Sequence, residues 1–162
     1  MDKEKFIKSI KPNKDDSGIN SNEDMSFNEI NVRDAEIIQV NLDDLISVKS
    51  IYQNVKFENV SLYSSYLVET TFVNCLFINV DFTKSILYSI KFINCIFRES
   101  SFFRAEIMGG SLIECKFELC EFSNIIFCDN KIIDSTFDIK GGNSAIISDN
   151  KEIDSNWLFR DI

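Results

Sequence analysis

The chain has 162 residues, 44% of them apolar, and carries 17 basic against 26 acidic residues for a formal net charge of −9. That is the size and composition of one globular domain, and no run of 18 or more apolar residues offers a membrane-spanning helix. The sequence contains no histidine, which removes Ser-His-Asp and Cys-His nucleophile pairs and histidine-bearing zinc sites together.

Residues 1–24 are polar and charged, hold the only proline, Pro12, and run through Lys14-Asp15-Asp16-Ser17-Gly18. They read as a flexible N-terminal arm, with a short turn around Phe6, Ile7 and Ile10. The start lacks the apolar stretch of a signal peptide, which predicts a non-exported, cytoplasmic protein.

From Phe27 the pattern changes. Every fifth residue is large and apolar: Phe27, Val32, Ile37, Leu42, then Tyr52, Phe57, Leu62, Leu67 and Phe72, and so on to Ile132 and Phe137. Among these 23 positions only Ser47 breaks the rule. Two residues before each lies a second lattice of mostly small or β-branched residues, such as Ala35, Val55, Ser65, Thr70, Cys75, Ser85, Cys95, Gly110 and Ser135. A period of five fits neither the 3.6 of a helix nor the 2 of a strand. If each group of five makes one straight edge and one corner, four groups close a square coil of 20 residues, and coils stack at about 4.8 Å. A narrow interior accepts one large and one small side chain per edge.

Groups such as Val80-Asp81-Phe82-Thr83-Lys84 and Cys120-Glu121-Phe122-Ser123-Asn124 resemble the pentapeptide-repeat family. The resemblance covers residues 25–139, departing from the family in Val, Ile or Cys where Ala is commonest and in more Phe than Leu at the centre. It implies an all-β fold, a right-handed quadrilateral β-helix over 25–140, and a bacterial source. Gly141-Gly142 reads as its stop. Residues 141–162 are then expected to form a cap or dimerisation segment. There Asp149 would cap a short helix that places Ile153, Trp157, Leu158 and Ile162 at helical spacing as cap or dimer contacts.

Four of the five cysteines, Cys75, Cys95, Cys115 and Cys120, fall on the inward small-residue lattice. They read as reduced thiols that pack as small hydrophobes in a reducing compartment. Carboxylate pairs such as Glu114 with Glu118 lie on the outside of a convex rod, and Gly109-Gly110 lacks the context of a phosphate loop. Asn54, Asn74 and Asn94 recur at 20 and predict an amide ladder on one corner. No catalytic residue, cofactor or metal site is expected.

The lattice also sorts outward residues by side. The side centred on Leu67, Leu87, Ile107 and Phe127 presents Tyr66, Val68, Ile86, Tyr88, Met108, Ile126 and Cys128, with Glu106 as its one charge. The next side, centred on Phe92, adds Val73, Ile93, Ile113 and Ile133, whereas the side of Phe82 is mostly polar. A contiguous apolar patch on a rod marks an interface. The expected function is therefore a non-catalytic protein–protein interaction module, binding a protein partner or itself as a homodimer, with no direct nucleic-acid or membrane contact. The alternative, which the family resemblance supplies, is a DNA-mimicking protein that binds DNA gyrase or another topoisomerase. Its charge is badly placed for that: residues 45–113 hold five acidic and six basic residues, a neutral waist where a duplex carries a charge every 1.7 Å or so.

Overall fold

The computed structural model describes residues 26–156. Among them it is all β, 17 short strands from β1 (Asn31–Ile38) to β17 (Lys151–Ile153), with no helix. All pairings are parallel, and all but the bulged pairs Cys120–Ile139 and Glu121–Lys140 join residues 20 apart, as in Leu87 to Ile107 and Phe77 to Phe97. The period of five is thus one edge and one corner, and four edges make each turn of a parallel β-solenoid of about six turns. The 11-stranded sheet spans two sides and the six-stranded sheet a third. The fourth, the Phe82 side, is held by single bridges from Asn41 through Ser61, Asp81 and Ser101 to Glu121.

Each corner is made by a residue in the left-handed region. Twenty-four non-glycine residues have positive φ, and 12 of these are Asn or Asp, the residues that tolerate this conformation best. Their side chains also stack. Asn94 donates to Asn74 (2.9 Å), Asn74 to Asn54 (3.1 Å) and Asn54 to Asp34 (2.8 Å), while Asn79 donates to Asn59 on another corner (2.7 Å).

The central residues point inward and stack on their equivalents one coil away. On the Phe97 side, Phe57, Phe77, Phe97, Phe117 and Phe137 form a column with ring centroids 4.5 to 4.9 Å apart and planes within 5° of parallel. Neighbouring columns meet edge to face, as Phe92 does with Phe97 at 5.0 Å and 89°. Both geometries suit the ring quadrupole. The small inward residues clamp coil to coil: Thr70 Oγ1 donates to the Ser47 carbonyl (2.9 Å), Ser65 Oγ to Leu42 (3.1 Å) and Cys95 Sγ to Phe72 (3.5 Å). Ser, Thr and Cys recur at that lattice because a short donor there satisfies a second lone pair of a buried carbonyl.

Ser47, the one polar central residue, is fully buried, and its hydroxyl lies 3.4 Å from the Tyr52 hydroxyl of the next edge. The two exceptional residues partner one another.

The solenoid does not stop at Gly141-Gly142. Strand β16 (Ile146–Ser148) pairs with Ile126–Cys128, β17 pairs with Lys131–Ile133, and Asn156 bridges to Thr136. The glycines instead absorb an irregular corner. Ile139 sits in register with Cys120 through a bulge, and Gly141 takes the turn at φ 70°. Among the described residues the expected helix does not form: Asp149 turns a corner at φ 57° and Ile153 lies in a strand. Hydrogen bonding to the coil below outweighs a spacing of four that rests on a few residues. The 1–24 arm and Trp157, Leu158 and Ile162 lie outside the described residues.

Candidate interaction face

The Leu87 side is a flat, in-register parallel sheet of six three-residue strands: Ile46–Val48, Tyr66–Val68, Ile86–Tyr88, Glu106–Met108, Ile126–Cys128 and Ile146–Ser148. Alternation along each strand buries the middle residue and turns its two neighbours outward. Tyr66, Tyr88 and Ile146 are the most exposed, at 49%, 51% and 57%. Val68, Ile86, Met108, Ile126 and Cys128 are half-buried, each flanked at strand spacing by equivalents above and below. All seven residues expected on this side are there. Ile46, Val48 and Ile146 lengthen the apolar strip at both ends, and the same lattice would have placed them. Glu106 is its only charge, half-buried and outside the three ion pairs found among the described residues.

Val73, Ile93, Ile113 and Ile133 form one half-buried column on the Phe92 side, extended by the exposed Ile153. The other outward column of that side is Thr71, Lys91, Ser111, Lys131 and Lys151. The two sides meet at a corner that carries Ser89 and Gly109. A Cβ on Gly109 would meet Ser89 Oγ and the Tyr88 ring at 3.8 Å, and the same corner column carries Lys49, Glu69, Asp129 and Asp149, so charged corners separate the two apolar surfaces above and below Ser89 and Gly109. Sequence reading also missed Leu76, Ile78 and Ile96, which are outward and half-buried on the Phe97 side.

The Phe82 side differs. Ser61 donates to Asp43, the Thr83 and Ser101 hydroxyls pair at 3.1 Å, and the Asp81 carboxylate accepts from the Thr83 amide (2.9 Å). Its two aromatic rings are topped by cations: Lys84 Nζ lies 5.1 Å from the Tyr63 centroid and bonds its hydroxyl at 2.6 Å, and Arg104 lies 5.1 Å from that of Phe103.

Cys75, Cys95, Cys115 and Cys120 are free and buried, and burial drives the Cys95 thiol up and pushes Cys120 up to about 12. Hydrogen bonding with Cys95 holds the Cys75 and Cys115 thiols below the ordinary range, but all four are shut away from solvent. Among the described residues no group of His, Cys, Asp or Glu is placed to hold a metal ion. A cavity of about 10 Å³ beside Tyr52, lined by Leu42, Leu45, Phe57, Leu62, Leu67 and Phe72, is the size of a single water. No helix among the described residues is long and apolar enough to cross a membrane.

No protein-family model and no curated protein matches this sequence. Solved structures similar to it include the plasmid-mediated fluoroquinolone resistance protein QnrB1 (TM-score 0.47, 11% identity, 78% of this chain and 85% of that one). A pentapeptide-repeat protein of the Arabidopsis thaliana thylakoid lumen matches at TM-score 0.42 and 22% identity, over 54% of this chain and 58% of that one. HetL, a pentapeptide-repeat protein involved in heterocyst differentiation regulation in Nostoc, matches at 0.36 and 9%, over 70% and 56%. All three scores lie below 0.5, and the coil described above stands on its own register of 20.

Proposed function

Because the chain is a pentapeptide-repeat solenoid by its own period and its own square coil, we propose that it is a non-catalytic cytoplasmic protein-interaction module that docks through the Leu87 side. The observation that carries this reading is the outward half of that sheet: 11 of its 12 positions are uncharged and ten are apolar, with Tyr66 and Tyr88 about half exposed. The interior needs none of this. The Phe82 side stacks equally large residues inward and is polar outside. A flat strip that is apolar in both of its outward columns is the signature of an interface, and exposed tyrosines are its usual anchors.

The test is Ile86→Lys combined with Tyr88→Asp, in the middle of the strip. The thermal midpoint should stay within a few degrees of wild type while association, with itself or with a captured protein, is lost. A large fall in stability in a wild-type protein that is already monomeric and partnerless would make the strip intramolecular packing instead.

Acidic residues favour a second reading at the C-terminal end. Glu114, Asp134 and Asp154 stand one coil apart on a single corner, beside Glu118 and Asp138. A DNA mimic that engages gyrase would use this ladder, and reversing Glu114, Glu118 and Glu121 would abolish a salt-sensitive effect on supercoiling. The Arg98–Glu118 ion pair at 2.6 Å and the neutral waist count against it.

A further inference from the structure

We propose that the Leu87 side is covered by the chain's own N-terminal segment, residues 3–11. The inference rests on reading that side as a docking face and names the occupant that any other partner has to displace.

Attachment selects this segment. The described chain begins at Ser26, which bridges to Ile46 at the lower end of the strip. The residues before it therefore start on the side they would cover. At the other end the chain leaves at Asn156, bridged to Thr136 on the Phe97 side, across the rod from the strip. Six residues follow Asn156, about 20 Å when fully extended, and crossing the intervening side uses them up.

Length agrees with attachment. Ser26 lies five strand spacings below strand Ile126–Cys128, about 24 Å. Ile10 is 16 residues before Ser26, and a coil of that length has a root-mean-square reach of about 22 Å. A tether whose reach matches its span gives the highest effective concentration, in the millimolar range. The strip itself is small, roughly 300 Å² in plan against the 800 Å² or so per partner of a standard interface. A free partner is held there only transiently, whereas a tethered one needs no larger area.

Charge points the same way. Residues 26–156 hold 11 basic against 19 acidic residues, while residues 1–14 hold five lysines against Asp2 and Glu4. Lys3, Lys5, Lys8 and Lys11 bracket the apolar Phe6, Ile7 and Ile10. On the strip the single charge is the half-buried Glu106, and the upper end of one flanking corner carries Asp129 and Asp149. All three lie outside the ion pairs found among the described residues. The cations of the other flanking corner, Lys84 and Arg104, are drawn over the Tyr63 and Phe103 rings of the Phe82 side. Charge alone would equally send lysines to the corner of Glu114, Asp134 and Asp154. The three apolar residues and the point of attachment choose the strip, where a lysine on Glu106 sets its apolar neighbours against Met108, Ile126 and Cys128.

Cys128 is the outward, partly exposed thiol of the strip and reports the contact in the full chain. With Ile10→Cys, copper-phenanthroline oxidation at about 1 μM protein should close an intramolecular disulfide, and mass spectrometry should join position 10 to Cys128. Adding Phe6→Asp and Ile7→Asp keeps the tether, removes the apolar contact and should slow closure roughly tenfold. Glu106→Lys should slow it about threefold, a difference that salt narrows. A labelled peptide of residues 1–12 should bind the Phe6→Asp, Ile7→Asp protein about threefold more tightly than wild type, whose own segment competes. Further addition of Ile86→Lys and Tyr88→Asp should abolish that binding.

Equal closure with and without Phe6→Asp and Ile7→Asp would reduce the contact to chance collisions of a tether and overturn the proposal. A disulfide-linked dimer in place of the closed monomer would put a second copy's segment on the strip and overturn it as well. Capture of a protein partner judges the interaction-face reading separately. That reading survives either result if Ile86→Lys with Tyr88→Asp still abolishes capture of a protein that wild type captures. It falls, and the segment remains the sole occupant, if closure behaves as expected and the Phe6→Asp, Ile7→Asp protein captures nothing.

Discussion

The Leu87 and Phe82 sides share one coil spacing and a similarly filled interior, the first built of three-residue strands and the second of singly bridged turns, yet present opposite surfaces. Inside, Leu67, Leu87, Ile107 and Phe127 on one side do the same work as Leu62, Phe82, Phe102 and Phe122 on the other, and all are at most 2% exposed. Outside, tyrosines and aliphatics on the first correspond to serines, carboxylates and cation-capped rings on the second. Folding fixes only the inward half of each edge. What differs outside is free of the fold and is where function is to be sought.

The comparison requires the interior to be far less tolerant than either surface. Phe97 lies between Phe77 at 4.6 Å and Phe117 at 4.5 Å and is fully buried, so Phe97→Asp should abolish folding outright. An unpaired carboxylate there costs more than the 5 to 15 kcal/mol or so that holds a domain together. Circular dichroism of the purified variant is the check, and a native β spectrum with a normal melt would refute the stack.

A smaller interior effect is readable through pH. Burial raises the Tyr52 hydroxyl to about 12 from its usual 10, so its contribution to stability is complete below pH 10 and disappears as pH climbs through 12. Two units correspond to about 2 to 3 kcal/mol. Tyr52→Phe with Ser47→Ala removes the hydroxyl and its partner together, and alkaline denaturation of this double variant should begin at higher pH than that of wild type. Coincident curves would show that Tyr52 is not buried.

Corners come next. Leu119 occupies the left-handed region at φ 55° and is 43% exposed. Leu119→Asn should raise stability by about 1 kcal/mol in a denaturant titration, and a loss would mean that its side chain matters more than its backbone. Smallest of all is the control on the polar side. Thr83→Lys should change stability by less than about 0.5 kcal/mol and leave association untouched, in contrast to the same kind of charge placed at Ile86. An equal loss of association from both would erase the distinction between the two sides.

The period of five was enough to assign the square coil, the inward lattices, the asparagine ladder and every residue of the apolar strip between Tyr66 and Cys128, because each is a direct consequence of phase. The phase was lost where polar residues enter it. Gly142 and Glu152 take central positions, and Ile139 shifts by one residue in a bulge, so the last coil was read as a helix, although Ala145, Ile147 and Ser155 keep step. The excess of Asn and Asp at corners was equally present in the sequence and was explained only by the positive φ. Ser47 looked like an error in the lattice until Tyr52 was seen to lie beside it, a contact between adjacent edges that no single column reveals.

The 20-residue register makes the chain behave like a combination lock with four faces. Deleting residues 76–95 would remove one coil and shorten the rod by about 4.8 Å, leaving every remaining residue facing the direction it faces now. Deleting five residues would instead turn everything downstream by a quarter revolution, carrying the apolar strip around a corner and splitting it in two. Any other number would jam the mechanism. Length changes in this molecule are thus sorted by arithmetic into those that resize its surface, those that rotate half of it, and those that destroy the fold.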